Sequence, residues 1–288
     1  MLKACYSERY FAPTLSRSME KLTAIANQLT VRQLAELVEP TGIHPDLLRQ
    51  LHQPALVDAF LVGEKPLATL QGFQWSEQLR DAVLAIHGGQ LLAANLAFEY
   101  GIAANIAQGF HHAGYDYGSG YCTFNGLALI AQQYAHKRVF VLDCDQHGGN
   151  GTADFCERLT NLFNFTIYGL RFGHVDGTRS LGRLVHRDHG SFAQYCQVLE
   201  EGFSHVLDWQ TDLLIYQAGV DCHQADPFGS AWFDTTSLYE RDKMVFEFAK
   251  RHNIPILFVL AGGYQAFHQL VELHINTFIA ANQVYFSA

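Results

Sequence analysis

Several absences bound what this 288-residue chain can be. Its six cysteines, Cys5, Cys122, Cys144, Cys156, Cys196 and Cys222, include no C-x-x-C pair, which excludes a zinc knuckle and a thioredoxin-like motif. The first ten residues lack the apolar core of a signal peptide, and no stretch reaches the ~18 uninterrupted apolar residues of a membrane span. These absences predict a soluble, unsecreted, cytoplasmic protein whose thiols stay reduced. No Pro-, Gly- or Ser-rich linker and no charge run divides the chain, so residues 1–288 are expected to form a single domain. Basic residues are few: 19 Lys and Arg stand against 28 Asp and Glu, a net charge of −9. That balance opposes direct nucleic-acid binding and favours encounter with a basic peptide or a polyamine. With 49% hydrophobic and 16% charged residues, the chain has the material for a large core.

What is present is organised around residues 138–152, Arg-Val-Phe-Val-Leu-Asp-Cys-Asp-Gln-His-Gly-Gly-Asn-Gly-Thr. Val139 to Leu142 form a short apolar run suited to a strand buried on both faces of a parallel sheet. Polarity then changes abruptly to Asp143, Asp145, His147 and Asn150, with glycines between them. Alternate residues of a strand share a face, so Asp143, Asp145 and His147 point to one side while strand geometry lasts. Carboxylates with an imidazole on one face are metal-ligand chemistry, although the same residues also suit a solvated turn at a strand end.

The flanking pattern decides between those readings. Residues 1–75 read as helices and connectors, with helical apolar spacing over 15–29 and 34–38. A helical pattern opens at Ser76 and runs to Tyr100, and Gly88-Gly89 is expected to break it. Strands are expected over Ile102 to Ala107, Phe163 to Tyr168, Leu213 to Tyr216 and Ile254 to Leu260, alternating with helices over Asn125 to Lys137, Ala153 to Leu159, Phe192 to Leu207, Leu238 to His252 and Phe267 to Ala281. Residues 171–189 read as a long loop. The alternation predicts an α/β fold with a central, mostly parallel sheet, helices on both faces, and an active site at the C-terminal ends of the strands. Four strands end in polar or glycine-rich loops, carrying His111 and His112, then Asp143 to Asn150, then Asp221, His223 and Asp226, then Tyr264. That convergence favours a site over a solvated turn.

Two carboxylates and an imidazole around a divalent ion leave a coordination position open, a recipe for hydrolysis. Amide hydrolysis also needs a base, an acid and a donor to the developing oxyanion, needs that His111, His112 and Tyr264 fit.

The segments Gly109-Phe-His-His-Ala-Gly, Gly120-Tyr-Cys-Thr-Phe-Asn, Asp143-Cys-Asp-Gln-His-Gly-Gly-Asn-Gly-Thr, Gly219-Val-Asp-Cys-His-Gln-Ala-Asp-Pro and Gly262-Gly-Tyr together resemble the zinc-dependent histone deacetylase family. They are colinear over roughly residues 80–270. Asn150, the Gly-Gly-Tyr-Gln ending and the compact length are most similar to the class IV branch and its bacterial relatives. The resemblance implies Asp145, His147 and Asp226 as metal ligands, and Tyr264 as the hydroxyl that polarises the substrate carbonyl. It places His111 and His112 beside the attacking water, Asp143 against His111 and Asn150 behind His112, and it makes Gly120 and Tyr121 walls of an acyl-lysine channel. Asp221 and His223 match no metal position, and structural or rim roles are expected for them.

The implied ion is Zn²⁺, and an oxygen-rich set also admits Fe²⁺ or Mn²⁺. A structural K⁺ on backbone carbonyls near Asp143, Asp145 and His147 is implied as well. Because neutral Asn150 cannot hold a proton on His112 by charge, a neutral His112 acting as base is favoured, while the division of acid and base between the two histidines stays open.

The implied activity is removal of acetyl or longer fatty acyl groups from the ε-amine of lysine in proteins. The alternatives are an acetylpolyamine amidohydrolase and a catalytically silent acyl-lysine binding module. An arginase-like binuclear manganese hydrolase would need further aspartates where His147, Gly148 and Gly149 stand. Oligomeric state leaves no signature in the sequence.

Overall fold

The computed structural model describes residues 1–14 and 19–287. Among the described residues eight strands form one sheet: β1 (Lys3–Cys5), β2 (Glu36–Val38), β3 (Ile102–Gln108), β4 (Val139–Asp143), β5 (Leu162–Tyr168), β6 (Ser180–Leu184), β7 (Leu213–Ala218) and β8 (Ile256–Leu260). Their order is β2-β1-β3-β8-β7-β4-β5-β6, and every neighbouring pair is parallel. Helices cover both faces, giving the expected α/β architecture. Strands β4, β7 and β8 are buried along their whole length, as continuous apolar runs between two helical layers must be.

Three strands escaped the pattern. β1 and β2 have three residues each, too few to show a period of two, and residues 34–38 had the spacing of a helix. They become strands because β1 pairs with both β2 and β3, so pairing supplies what local sequence does not. β6 lies inside the expected loop of residues 171–189 and is a partly exposed edge strand against β5.

The nine helices among the described residues are α1 (Glu20–Val31), α2 (Pro45–Leu51), α3 (Pro54–Val62), α4 (Glu77–Tyr100), α5 (Gly126–Gln133), α6 (Asn150–Arg158), α7 (Phe192–Asp208), α8 (Thr235–Arg251) and α9 (Phe267–Phe286). The expected start of the first helix at residue 15 lies outside the described residues. α4 runs unbroken, contrary to the expected interruption at Gly88-Gly89. The Ser76 hydroxyl caps its N-terminus by accepting the Leu79 N–H, and Gly101 ends it in the left-handed region at φ 81°. The paired glycines serve close approach instead. A Cβ on Gly88 would stand 1.9 Å from the Thr41 carbonyl oxygen, and one on Gly89 would stand 1.6 Å from the Tyr10 hydroxyl. No described helix is long and apolar enough to cross a membrane.

Candidate active site

The four central, adjacent strands β3, β8, β7 and β4 deliver the site, because their C-terminal ends open into the loops holding His111 and His112, Tyr264, Asp221 with Asp226, and Asp145 with His147. β3 and β4 are consecutive in the chain yet lie on either side of the β7–β8 pair, so the sheet is wound outward in two directions from this point. A crevice at such a reversal is where α/β sheets bind ligands. β3 also shifts register against β8 between Asn105 and Gln108, and Phe110 adopts φ 61°. This irregular backbone lets two sequential histidines face one crevice, which a regular strand would forbid.

Each histidine is held by a different partner. The His111 Nδ1 lies 2.7 Å from Asp143 Oδ2, and the His112 Nδ1 lies 2.7 Å from Asn150 Oδ1, with the two rings 3.9 Å apart between centroids. Burial opposes a charge on His111, but the carboxylates of Asp143 and Asp145 outweigh it and its pKa lies above the ordinary histidine value. Burial lowers His112 well below that value, and its charged neighbour His111 lowers it further. The pair is therefore unlike: its surroundings favour a proton on His111 and favour His112 as the neutral ring. In the neutral ring an N–H on Nδ1 faces Asn150, which leaves Nε2 as a lone-pair base.

Asp145, His147 and Asp221 each offer a ligand atom within 4.8 Å of the others. The His147 Nδ1 sits 3.3 Å from Asp145 Oδ1 and 3.1 Å from Asp221 Oδ2. Asp221 thus enters the cluster, fully buried, and the rim position considered for it is excluded; its Oδ1 accepts the Gln146 N–H at 3.0 Å. His223 is also buried, with its Nε2 3.0 Å from the Thr235 hydroxyl, a structural placement. Asp226 lies outside the closest trio. Its Oδ2 accepts the Tyr264 N–H at 2.6 Å and its Oδ1 the Phe228 N–H at 2.9 Å, while its field reaches Asp145 and His147.

Two carboxylates converging on one imidazole suit a divalent cation. Burial, together with the neighbouring Asp145, raises Asp221 to about 7. Burial opposes a charge on His147, but its hydrogen bonds to Asp145 and Asp221 raise it to about 10. These carboxylates favour a proton on His147, and a cation bound there must displace it. Titration with Zn²⁺ at pH 7 in buffers of different ionisation enthalpy should show release of about one proton or more per ion, with affinity rising as pH increases from 7 towards 9. Binding without proton release would contradict this charge distribution.

A cleft with an internal volume of about 50 Å³ leads down to Asp145 and the two histidines His111 and His112. Gly120, Tyr121 and Tyr264 line it with His111, His112 and Asp145, and Lys21, Gln108 and Gln217 also contribute. Tyr121 adopts φ 63° and stacks on Phe73 at 4.9 Å, so a bulky residue is held in the left-handed region beside the cleft. Phe172 packs 4.1 Å from His112, and Phe228 lies 5.4 Å from His147, placing two further aromatics at the site that the sequence analysis did not identify. Gly120 has φ 51°, and a Cβ there would stand 2.5 Å from His112 Cδ2. Gly120→Ala should therefore lower turnover by at least ~10-fold in a protein that still melts cooperatively, since small displacements of catalytic groups are costly. Unchanged kinetics in that variant would show that His112 tolerates movement.

The Histone deacetylase domain pattern matches residues 15–278. An uncharacterized protein of Picosynechococcus is 34% identical over 258 residues, covering 83% of this chain and 82% of its own. Histone deacetylase 2 of Arabidopsis thaliana is 32% identical over 188 residues, covering 62% of this chain, with the matched part about half (48%) of the plant protein. A solved structure, acetylpolyamine aminohydrolase from Burkholderia pseudomallei, superposes with a TM-score of 0.80 over 99% of both chains at 16% identity, a likeness of fold. The chain belongs to the histone deacetylase domain family. It is a hydrolase of that family with the family's α/β fold.

Proposed function

We propose that this chain is a single catalytic domain, residues 1–288, that hydrolyses acylated amines of the lysine ε-amine type through a zinc ion held by Asp145, His147 and Asp226. The observation that carries the reading is the pair of differently partnered histidines, His111 on Asp143 and His112 on Asn150, set in the cleft beside Asp145 and below Tyr264. Asp226 is chosen as third ligand over Asp221 on the family resemblance: both oxygens of each carboxylate already have a partner, but Asp226 accepts the Tyr264 N–H and so stands beside the oxyanion donor. Asp221 then lies outside the ligand set, accepting the Gln146 N–H and standing 3.1 Å from His147 Nδ1, where it sets the charge around that ring. A bound divalent ion would polarise the amide carbonyl and acidify water.

The chain's own residues supply the rest. Neutral His112 takes the proton from the attacking water through Nε2. Protonated His111, kept charged by Asp143, gives its proton to the departing amine, so that His112 ends with one proton more and His111 with one fewer, and proton exchange between the rings or with solvent resets the pair. Tyr264 donates its hydroxyl to the carbonyl oxygen as negative charge develops there. Burial and the nearby carboxylates of Asp221 and Asp145 raise its pKa, which keeps it a donor at neutral pH. Gly120 and Tyr121 border the passage for the alkyl stem. A potassium ion on backbone carbonyls around Asp143, Asp145 and His147 belongs to the same proposal. So does a reducing, cytoplasmic setting, which the free state of all six cysteines supports.

Hydrolysis of an acetyl-lysine peptide and of an acetylated polyamine by zinc-loaded protein tests the reading. Metal-dependent release of acetate from the peptide supports it. Release from the polyamine alone moves the substrate to the second amine class, and binding of the peptide without release would identify a silent module.

A further inference from the structure

The groups in the cleft are layered by depth. Tyr121 and Tyr264, 38% and 39% exposed, stand at the mouth, whereas Gln108 and Gln217 belong to the strand ends of β3 and β7, beneath the loops that carry His111, His112 and Asp145, and the buried Lys21 joins them at the floor. A substrate whose alkyl stem enters from solvent presents its carbonyl at the level of the histidines. Its acyl substituent, on the far side of the reacting carbon, is then carried to the floor.

That floor is polar. Lys21 reaches it from α1 and donates its Nζ to the carbonyl oxygens of Ala261 at 2.8 Å and Gly262 at 3.1 Å, leaving one of its three donors uncommitted to them. Gln108 Oε1 and Gln217 Oε1 are buried and, among the described residues, have no hydrogen-bond partner. Three polar groups with bonding capacity to spare thus close a small cavity.

We propose that Lys21, Gln108 and Gln217 form an acyl-length selector, so that the site accepts acetyl and similarly short acyl groups and rejects long fatty acyl chains. The inference rests on the hydrolase reading above and adds the substrate class to it. An acetyl methyl reaches the floor without covering it. A long chain must press methylenes onto the Lys21 ammonium and the two amide oxygens, shutting water out of the cavity while offering these groups no partner of its own, which penalises them as buried and unmet. The same Lys21 bonds hold Ala261 and Gly262, which lead into Tyr264, so the residue that limits the acyl pocket also anchors the loop of the oxyanion donor.

The test compares kcat/KM for one peptide bearing Nε-acetyl-, octanoyl- or myristoyl-lysine, using zinc-loaded wild type, Gln217→Leu and Lys21→Met. Wild type should favour acetyl over myristoyl by at least ~10²-fold, and the ratio should fall by at least ~10-fold in each variant, even though Lys21→Met lowers turnover of every substrate by loosening the Tyr264 loop. The wild-type ratio alone decides the matter should the variants not fold. A ratio near unity or favouring myristoyl, or a ratio that neither folded variant changes, overturns the selector. Absence of turnover on every peptide would instead overturn the hydrolase reading. Calorimetric binding of the same peptides to wild type then tests the selector separately: tighter binding of acetyl than of myristoyl peptide upholds it, and equal or reversed affinity overturns it.

Discussion

Tyr264→Phe is expected to lower kcat by ~10²-fold or more while leaving the melting temperature and zinc affinity near those of wild type. The substitution removes one hydroxyl. It keeps the Tyr264 N–H that Asp226 accepts and the ring that meets Phe228 edge-on at 5.3 Å, so the structural contacts of the side chain survive. In the proposed reaction the hydroxyl acts on charge that appears only as the carbonyl is attacked, and the loss should therefore fall on kcat with little change in KM. Stopped turnover with normal substrate binding is the signature to measure. A variant with kcat within a few-fold of wild type would remove Tyr264 from the reaction.

The second large effect separates two neighbouring carboxylates. Asp226→Asn should abolish stoichiometric zinc binding at micromolar protein, and activity with it, because the proposed ligand set loses a coordinating oxygen. Asp221→Asn should bind zinc ~10 to 100-fold more weakly and keep measurable activity, since a group outside the ligand set acts on the charge around His147 and does not coordinate. Zinc titration against a competing chelator measures both. The reverse order, with Asp221→Asn the more severe, would make the tight trio Asp145, His147 and Asp221 the ligand set. Both substitutions are nearly isosteric and reduce carboxylate crowding, so neither should unfold the metal-free protein. Burial together with its carboxylate neighbours already raises the pKa of each group.

Much of the central region was legible because its physics is local. The change from the apolar run of β4 to Asp143, Asp145 and His147 marks a buried strand opening into a site, and the register opposite Gln217 and Thr166 keeps that transition at the sheet's centre. The two histidines were legible as a pair, although only the register shift and the left-handed Phe110 explain how both face one cleft. Other features depend on contacts distant in the chain. Gly88 and Gly89 look like helix breakers until Thr41 and Tyr10 are seen to occupy the space a side chain would need. Asp221 carries no local sign that separates it from Asp226; its burial comes from the packing of the β4 and β7 loops.

Lys21 did carry a sign. It shares one helical face with Ile25 and Leu29, both buried, so a lysine stands on an apolar stripe. Such a position ordinarily lets the stem lie along the core with the charge in water. Here the stem leads inward, to the carbonyls of Ala261 and Gly262 more than two hundred residues away in the chain, and burial lowers its pKa to about 8 against the pull of Asp221, Asp145 and Asp226. Phe172 and Phe228 were missed for the opposite reason: aromatics in loops have no period to read, and only the folded loops bring them to His112 and His147.

The most direct test of the central claim is release of acetate from an acetyl-lysine peptide by protein stripped with a chelator, verified free of metal, and then reloaded with one equivalent of Zn²⁺. The account predicts negligible release from the stripped protein and restoration of full turnover at one ion per chain. Equal release before and after stripping, or none from reloaded protein that binds the peptide, would contradict it.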